Sequence, residues 1–406
     1  MATLLTMEKT DARRDAAEVP FVITLIEGRG EGLRATRRIE KGELIFAERP
    51  FIWASKVLKT AYACYSCGTY LRSMNGSRCA TVVACPGCPA TFCSLACEDE
   101  ARTNGHRFVC RDASPSVATF DSYVDETGGD AHMSHSVRLL GVALVFYRRV
   151  AEACLRSHGG DGGPPLTAQD AADALLAGYQ REDYCKTVHA MRCGTLEVDE
   201  DIFERMIGPA YVESHLAAPL ALIKSIFRND AVPWGDGDVG RARMDAFVDS
   251  PIFEPQFFKE LLGTFSVNNL EVRIRDDDAA AGPAAPLASA DTAAVAEFEQ
   301  GQRHENDNVL RGTGLNYLYS RMNHSCRCNT MTDCGARAMV RVYAARTIEA
   351  HEEITTTYLH LSEDADGASL GTYKQRRKAL YQYLFQCECP LCEAQKGDPD
   401  SSDDDY

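Results

Sequence analysis

The segment Cys387-Glu388-Cys389-Pro390-Leu391-Cys392 places three thiols within six residues, one fewer than a tetrahedral zinc requires. A fourth lies far upstream in Asn323-His324-Ser325-Cys326. A zinc on Cys326, Cys387, Cys389 and Cys392 would tie the end of the chain to an internal Asn-His segment. A second thiol-rich block runs Cys64-x-x-Cys67, Cys85-x-x-Cys88, Cys93-x-x-x-Cys97 and His106-x-x-x-Cys110. Seven cysteines and one histidine make eight ligands, enough for two four-coordinate zinc ions. The competing reading is a buried free thiol for any one pair and a weakly binding tail for the terminal triplet, but four pairs in succession favour metal. A block this short buries no core of its own, so metal would supply most of its folding free energy. Sites with four protein ligands have no open coordination position and are structural. Cys79, Cys154, Cys185, Cys193, Cys328 and Cys334 read as small buried or half-buried residues.

These ligands need a scaffold. A chain of 406 residues with 45% apolar content has room for two or three domains with packed cores. No apolar run is long enough for a membrane span, and the charged N-terminal stretch lacks a signal core, so the expected setting is intracellular. An odd count of 17 cysteines in CxxC-type spacings favours zinc over disulfides. The formal net charge of −16 is concentrated at Asp276-Asp277-Asp278 and in the tail from Asp398 to Asp405. Such a surface repels phosphate backbones and attracts basic proteins, which argues against direct nucleic-acid binding. The tail itself reads as a solvated acidic stretch.

Short strands separated by glycine turns are expected first, at Phe21-Val22-Ile23-Thr24-Leu25-Ile26, at 33–36 and at Glu43-Leu44-Ile45-Phe46-Ala47-Glu48, with Gly28-Arg29-Gly30-Glu31-Gly32 as a turn. Beyond the cysteine block the pattern turns helical. Residues 136–156 carry Val137, Leu140, Ala143, Leu144 and Tyr147 on one face, and Thr167-Ala168-Gln169-Asp170 resembles a capping box. Residues 211–228 and 256–262 also read as helices, and 159–165 as a loop. Residues 276–308, rich in Ala, Asp and Pro, predict an extended or disordered insertion. Strands return at Ala338-Met339-Val340-Arg341-Val342-Tyr343 and Glu353-Ile354-Thr355-Thr356-Thr357-Tyr358. The β pattern brackets the helices and the cysteine block, as in one β domain carrying insertions.

The order of the ligand pairs, with Phe92-Cys93-Ser94-x-x-Cys97, resembles a MYND finger. MYND fingers interleave their ligands, which implies one zinc on Cys64, Cys67, Cys93 and Cys97 and another on Cys85, Cys88, His106 and Cys110. Gly30-Glu31-Gly32-Leu33-Arg34-Ala35, Asn323-His324-Ser325-Cys326, Glu352-Glu353-Ile354-x-x-x-Tyr358 and the terminal Cys-x-Cys-x-x-Cys look like a SET-domain lysine methyltransferase. Together the motifs resemble the SMYD family over nearly the whole chain. Gly42-Glu43-Leu44-Ile45-Phe46-Ala47-Glu48-Arg49-Pro50, Tyr383-Leu384-Phe385-Gln386-Cys387-Glu388-Cys389-Pro390, the acidic tail and the missing helical repeat domain are most similar to its fifth paralogue. The implied fold is α+β: a β-rich SET domain with an inserted MYND zinc finger and a helical insertion, closed by a cysteine-rich post-SET zinc site. The implied boundaries are an N-terminal extension (1–20), the first part of the SET domain (21–60), the finger (61–112), the helical insertion (113–262), the SET core (263–362, with the 276–308 insertion), the post-SET region (363–395) and the acidic tail (396–406).

The resemblance implies S-adenosylmethionine and three structural zinc ions as cofactors. It places Tyr358 and Tyr383 in a lysine channel, with Phe385 as a further wall, and puts Arg29, Gly30, Glu31, Gly32, Asn323 and His324 at the cofactor with one of Asn268 and Asn269. Arg327-Cys328-Asn329 stands where the family has Asp-Pro-Asn, and Ala350-His351 where it has Pro-Gly, which predicts altered turns. Methyl transfer to an amine is an in-line displacement, so alignment supplies much of the rate, and a dry channel beside a sulfonium keeps the amine neutral without a dedicated base. The expected substrate is a basic protein, a histone tail or a non-histone protein such as a ribosomal one, in the cytoplasm, the nucleus or both. The rival is an inert SET-MYND scaffold that recruits proline-containing partners through its finger; an inert scaffold has no physical need for an aromatic channel.

Overall fold

The computed structural model describes residues 19–55, 64–69, 71, 82–110, 115–127, 134–157, 216–228, 234–235, 237–275, 309–359, 371–380, 383 and 385–396. The expected capping box at 167–170, the loop at 159–165, the 276–308 insertion, residues 211–215 of the expected 211–228 helix, Cys79, Cys185, Cys193 and the acidic tail lie outside the described residues, and the Cys154 side chain is likewise not described.

Four strands precede the cysteine block: β1 (Phe21–Ile26), β2 (Gly30–Ala35), β3 (Leu44–Glu48) and β4 (Ile52–Ser55). The block contributes β5 (Val83–Ala84), β6 (Thr91–Phe92) and α1 (Leu95–Thr103). Among the described residues five helices follow: α2 (Pro115–Thr127), α3 (Ser134–Ser157), α4 (Ala218–Phe227), α5 (Gly237–Val248) and α6 (Pro255–Asn268). The remainder is β7 (Asn269–Arg275), β8 (Val309–Leu315), β9 (Asn323–His324), β10 (Thr330–Gly335), β11 (Met339–Ala344), β12 (Glu353–Thr356), α7 (Tyr373–Leu380) and α8 (Pro390–Gln395).

Each larger sheet joins strands from both ends of the sequence. One runs β1-β2-β12-β9, a second β10-β11-β3 and a third β4-β8-β7. All pairings are antiparallel except β12 with β9, where Thr355 faces Asn323 and Thr356 faces His324 in parallel. The first two sheets enclose a core of Leu33, Ile45, Val340, Val342, Ile348 and Ile354. The helices build a second core against β4 and β8.

Four differences from the expected elements have physical causes. Gly30 and Gly32 lie inside β2, because Ile26 pairs with Gly30 and Thr24 with Gly32, so only residues 27–29 turn. Helix α3 is buried on nearly every side between Leu140 and Ala151, since it packs on other helices and on β4 at once; its one-face pattern is a consequence of its polar ends. Helix α6 extends past Leu262 to Asn268. Strand β12 stops at Thr356, where its parallel partner ends, and leaves Tyr358 beyond it.

Glu48, at the end of β3, holds the turn that leads to β9. Its buried carboxylate accepts from the amides of Leu318 (3.0 and 3.1 Å) and Tyr319 (2.7 Å). Burial pushes its pKa from 4.5 up to about 7, outweighing the backbone donors and Arg321. Between those two values the folded state binds the proton and the unfolded state does not, so stability contributed by this group falls as pH rises through the window. The stability difference between wild type and Glu48→Gln, from urea unfolding at pH 5 to 8, should shift against wild type by on the order of 3 kcal/mol. A pH-independent difference would contradict the assignment.

Candidate active site and metal centres

Three groups of four ligands assemble: Cys64, Cys67, Cys93 and Cys97; Cys85, Cys88, His106 and Cys110; and Cys326, Cys387, Cys389 and Cys392. Within each group the ligand atoms all lie within 4.8 Å of one another. A tetrahedral zinc with Zn–S bonds of about 2.3 Å sets its sulfurs about 3.8 Å apart. The separations match: Cys67 to Cys93 3.7 Å, Cys85 to Cys110 3.8 Å, Cys326 to Cys387 3.9 Å and Cys326 to Cys392 3.5 Å. The interleaving implied by the finger resemblance is the one the chain adopts. Local structure explains part of it. Ser94 accepts from the Cys97 amide at 3.2 Å and caps α1, which turns Cys97 back to within 3.4 Å of Cys93. His106 turns Nε2 toward Cys88 at 3.5 Å, and burial, then Arg148, push its pKa down to about 4, which keeps the imidazole neutral as a ligand must be.

The third group joins segments more than sixty residues apart, and two neighbours complement its negative sulfurs. The Tyr358 amide donates to His324 Nδ1 at 3.0 Å, so Nδ1 carries no proton and Nε2 does. That Nε2–H points at Cys326 Sγ, 3.3 Å away. Arg376, fully buried, sets Nη2 3.9 Å from Cys392 Sγ while bonding the Gly371 carbonyl and Gln395. Cationic and N–H donors around a tetrathiolate offset its charge in a dry setting.

Next to this centre the three expected channel residues meet. The Tyr358 and Tyr383 rings are 4.8 Å apart, Tyr358 and Phe385 meet edge-on at 6.2 Å, and His324 lies 5.3 Å from Tyr358 and 5.9 Å from Phe385. The Tyr358 hydroxyl donates to the Met322 carbonyl at 2.7 Å, which fixes its direction.

On the other side of β9 lies a polar cluster. Asn323 donates to Glu353 at 2.8 Å and to the Glu31 carbonyl at 3.4 Å. Arg29 pairs with Glu353 at 3.1 Å, and Arg321 pairs with Glu31 at 3.1 Å while stacking 3.9 Å over the Tyr317 ring. A Cβ on Gly32 would stand 2.9 Å from Asn323 Nδ2 and 2.5 Å from Ile26, so only glycine lets β2 approach β9 this closely. A Cβ on Gly30 would meet open space, which leaves room for a ligand beside the backbone. Two guanidiniums, two carboxylates and an amide thus surround an open stretch of backbone, a set of donors and acceptors that fits the zwitterionic amino-acid end of S-adenosylmethionine. Asn268 turns its amide onto the Thr264 carbonyl of its own helix at 2.8 Å, and Asn269 opens β7 paired with Leu315.

Five residues of this region carry more than their motifs suggest. Glu353 is the hub joining Arg29 to Asn323. Asn329 clasps β12 through the Glu353 carbonyl and the Thr355 amide, both at 2.8 Å, so the altered Arg327-Cys328-Asn329 turn keeps this role. Arg321, Glu48 and Arg376 act through contacts between distant segments, for which local sequence holds no signal.

The SET domain family model matches residues 196–359. These residues carry a SET domain. Within that range β8 pairs with β4, β11 with β3 and β12 with β2, so its sheets include strands from ahead of the matched residues. Over 93% of this chain and 86% of the relative, it is 23% identical to the protein-lysine N-trimethyltransferase SMYD5 of Gallus gallus. It is also 24% identical to human SMYD5 over 95% and 88% of the two chains. The histone-lysine N-methyltransferase SET5 of Scheffersomyces stipitis is 23% identical over 97% of this chain and 67% of its own. The chain is homologous to both groups. Among the described residues no helix is long and apolar enough to cross a membrane.

Replacing one ligand of the cross-chain centre tests it. Cys326→Ser should lower bound zinc, counted by mass spectrometry of metals, from three equivalents to two, with finger ligands untouched. Three equivalents in the variant would refute the shared site.

Proposed function

We propose that this SET protein is an S-adenosylmethionine-dependent protein-lysine N-methyltransferase acting on a basic protein, a histone tail or a non-histone protein such as a ribosomal one. The methyltransferase class is supported by the SET match and by relatives named as lysine methyltransferases along nearly the whole chain. One observation carries the reading further: an aromatic cluster of Tyr358, Tyr383 and Phe385 and a polar cluster of Arg29, Glu31, Asn323 and Glu353 flank the same two-residue strand. Three zinc ions on the three ligand groups complete the proposed cofactors, and residues 61–112 are assigned to a MYND-type finger inserted between β4 and the helices.

When bound, S-adenosylmethionine supplies a methyl group on a sulfonium centre. Arg29, Glu31, Gly30, Gly32, Asn323 and the backbone of His324 would hold it, Gly32 by letting the strands close and Gly30 by leaving space, with Asn268 or Asn269 from the adjoining β7 end. Tyr358, Tyr383 and Phe385 would sheathe the lysine stem and exclude water. Desolvation favours the neutral amine, so these walls prepare the nucleophile without taking its proton. The Tyr358 hydroxyl, already donating to the Met322 carbonyl, keeps lone pairs for the arriving amine. Its role is alignment, and misplacing a reactant by about 1 Å costs on the order of a hundredfold in rate. A surface charge of −16 complements a lysine-rich substrate.

The test is transfer of a radiolabelled methyl group into proteins of a mixed lysate. Wild type should label a basic protein, and Tyr358→Phe should lose on the order of a hundredfold in rate while binding S-adenosylmethionine within about threefold. Equal labelling by both proteins would sink the catalytic assignment.

A further inference from the structure

Away from that site, two adjoining cavities open where the cysteine-rich finger meets β4 and α3. The larger, about 160 Å³, has apolar walls that include Pro89, Ala90, Val109, Val117 and Leu144. The smaller, about 30 Å³, is lined by Arg49, Arg148, Arg149 and Arg337, with Glu100 as its carboxylate. Trp53, Tyr65, Val145 and Arg148 belong to both walls.

Three nitrogen groups on the wall of the larger cavity are buried without an acceptor: Trp53 Nε1, Arg148 Nε and His106 Nδ1. With Nε2 of His106 turned to Cys88, Nδ1 bears the proton and is also a donor. A metal-ligating histidine ordinarily gives that second N–H to a carboxylate, a carbonyl or water. Arg148 is only 8% exposed, donates from Nη1 to the Tyr65 hydroxyl at 2.6 Å and lies 5.5 Å over the same ring. Among the described residues no carboxylate pairs with it, although buried charges are ordinarily paired. Asp121 lines the larger cavity but bonds to none of the three donors and has a partner of its own.

The other arginines have assigned work. Arg49 pairs with Glu100 at 3.1 Å, and Arg149 donates to the Phe51 carbonyl. Arg337 is exposed and has the sulfurs of Cys67, Cys97 and Cys93 and the Glu100 carboxylate as charged neighbours. Arg148 is left as a buried cation with unused donors, in a chain whose net charge is −16. An acceptor bearing negative charge and small enough for the cavity would satisfy it together with Trp53 and His106.

We propose that this cleft binds a small oxyanion, a carboxylate or phosphate group on a short apolar body, held by Arg148, Trp53 Nε1 and His106 Nδ1. The charged oxygens sit among the three donors, the apolar body lies against Val117 and Leu144, and the surrounding arginines add a favourable field. The ligand would fasten the finger to helix α3, because His106 belongs to one and Arg148 to the other.

The test is calorimetric titration of the zinc-loaded full chain with inorganic phosphate, acetate and hexanoate at constant ionic strength set by sodium chloride. Saturable binding of any of the three is expected, with hexanoate above acetate for a carboxylate ligand and phosphate above both for a phosphate ligand. Trp53→Phe keeps the ring and removes one donor, and should weaken the preferred anion about tenfold; Arg148→Gln should weaken it by more. Arg337→Gly keeps the left-handed backbone at φ 62° and should change affinity less than either. No saturable binding of any anion would overturn the proposal. So would affinity unchanged in Trp53→Phe, the variant that decides if Arg148→Gln fails to fold.

Discussion

The convergence of Cys326 with Cys387, Cys389 and Cys392 is the constraint on which the rest of the site depends. Neither partner segment has a sheet or helix long enough to fasten itself: β9 is two residues long and α8 only six. Four sulfurs within 4.8 Å of one another, given a shared dication, would do so with folding free energy that neither segment could raise from apolar burial alone. The consequence spreads through His324. Its Nε2–H faces Cys326 and its Nδ1 receives the Tyr358 amide, so one imidazole ties Cys326 to the residue that leaves β12 for the aromatic cluster. Tyr383 and Phe385 reach the same place from the other side, four and two residues ahead of Cys387.

Electrostatics completes what the metal geometry begins. Glu353 accepts from Asn323 and Arg29 at once, drawing β2, β9 and β12 into one arrangement. Glu48 performs a similar task from β3, where an acceptor sealed from water organises the turn into Arg321, Met322 and Asn323. Arg376 closes the set by placing a cation against the terminal sulfurs. Each is a buried or half-buried charged group joining segments remote in sequence, a pattern that yields a single arrangement at the price of desolvation.

Much of this was legible in the amino-acid order, for identifiable reasons. Ligand chemistry is local and spacing-dependent, so the CxxC pairs announce eight finger ligands and the missing thiol points to Cys326, while the interleaving of the finger ligands rests on the MYND resemblance. Strand ends bounded by glycine, as at Gly28 and Gly42, were equally readable. The packing of the helical segment is less legible, because a helix buried on nearly all sides has no face to betray its neighbours; α3 is the case in point. The contacts of Glu48, Arg321, Glu353 and Arg376 were hidden for another reason. Each depends on a partner 16 to 324 residues away, and a single charged residue carries no mark of the one it will meet. Asn268 illustrates a third kind of hidden contact: the extension of α6 brings its amide onto the Thr264 carbonyl, which its residue type does not announce.

The central claim is that two distant segments hold their arrangement through one metal centre. Deuterium uptake of peptides covering 322–326 and 383–392 in the full chain, wild type against Cys389→Ser, tests it most directly. Loss of the centre should raise exchange in both peptides together, while those of the finger around Cys64 and Cys97 stay protected. Faster exchange confined to 383–392, with 322–326 unchanged, would contradict the account.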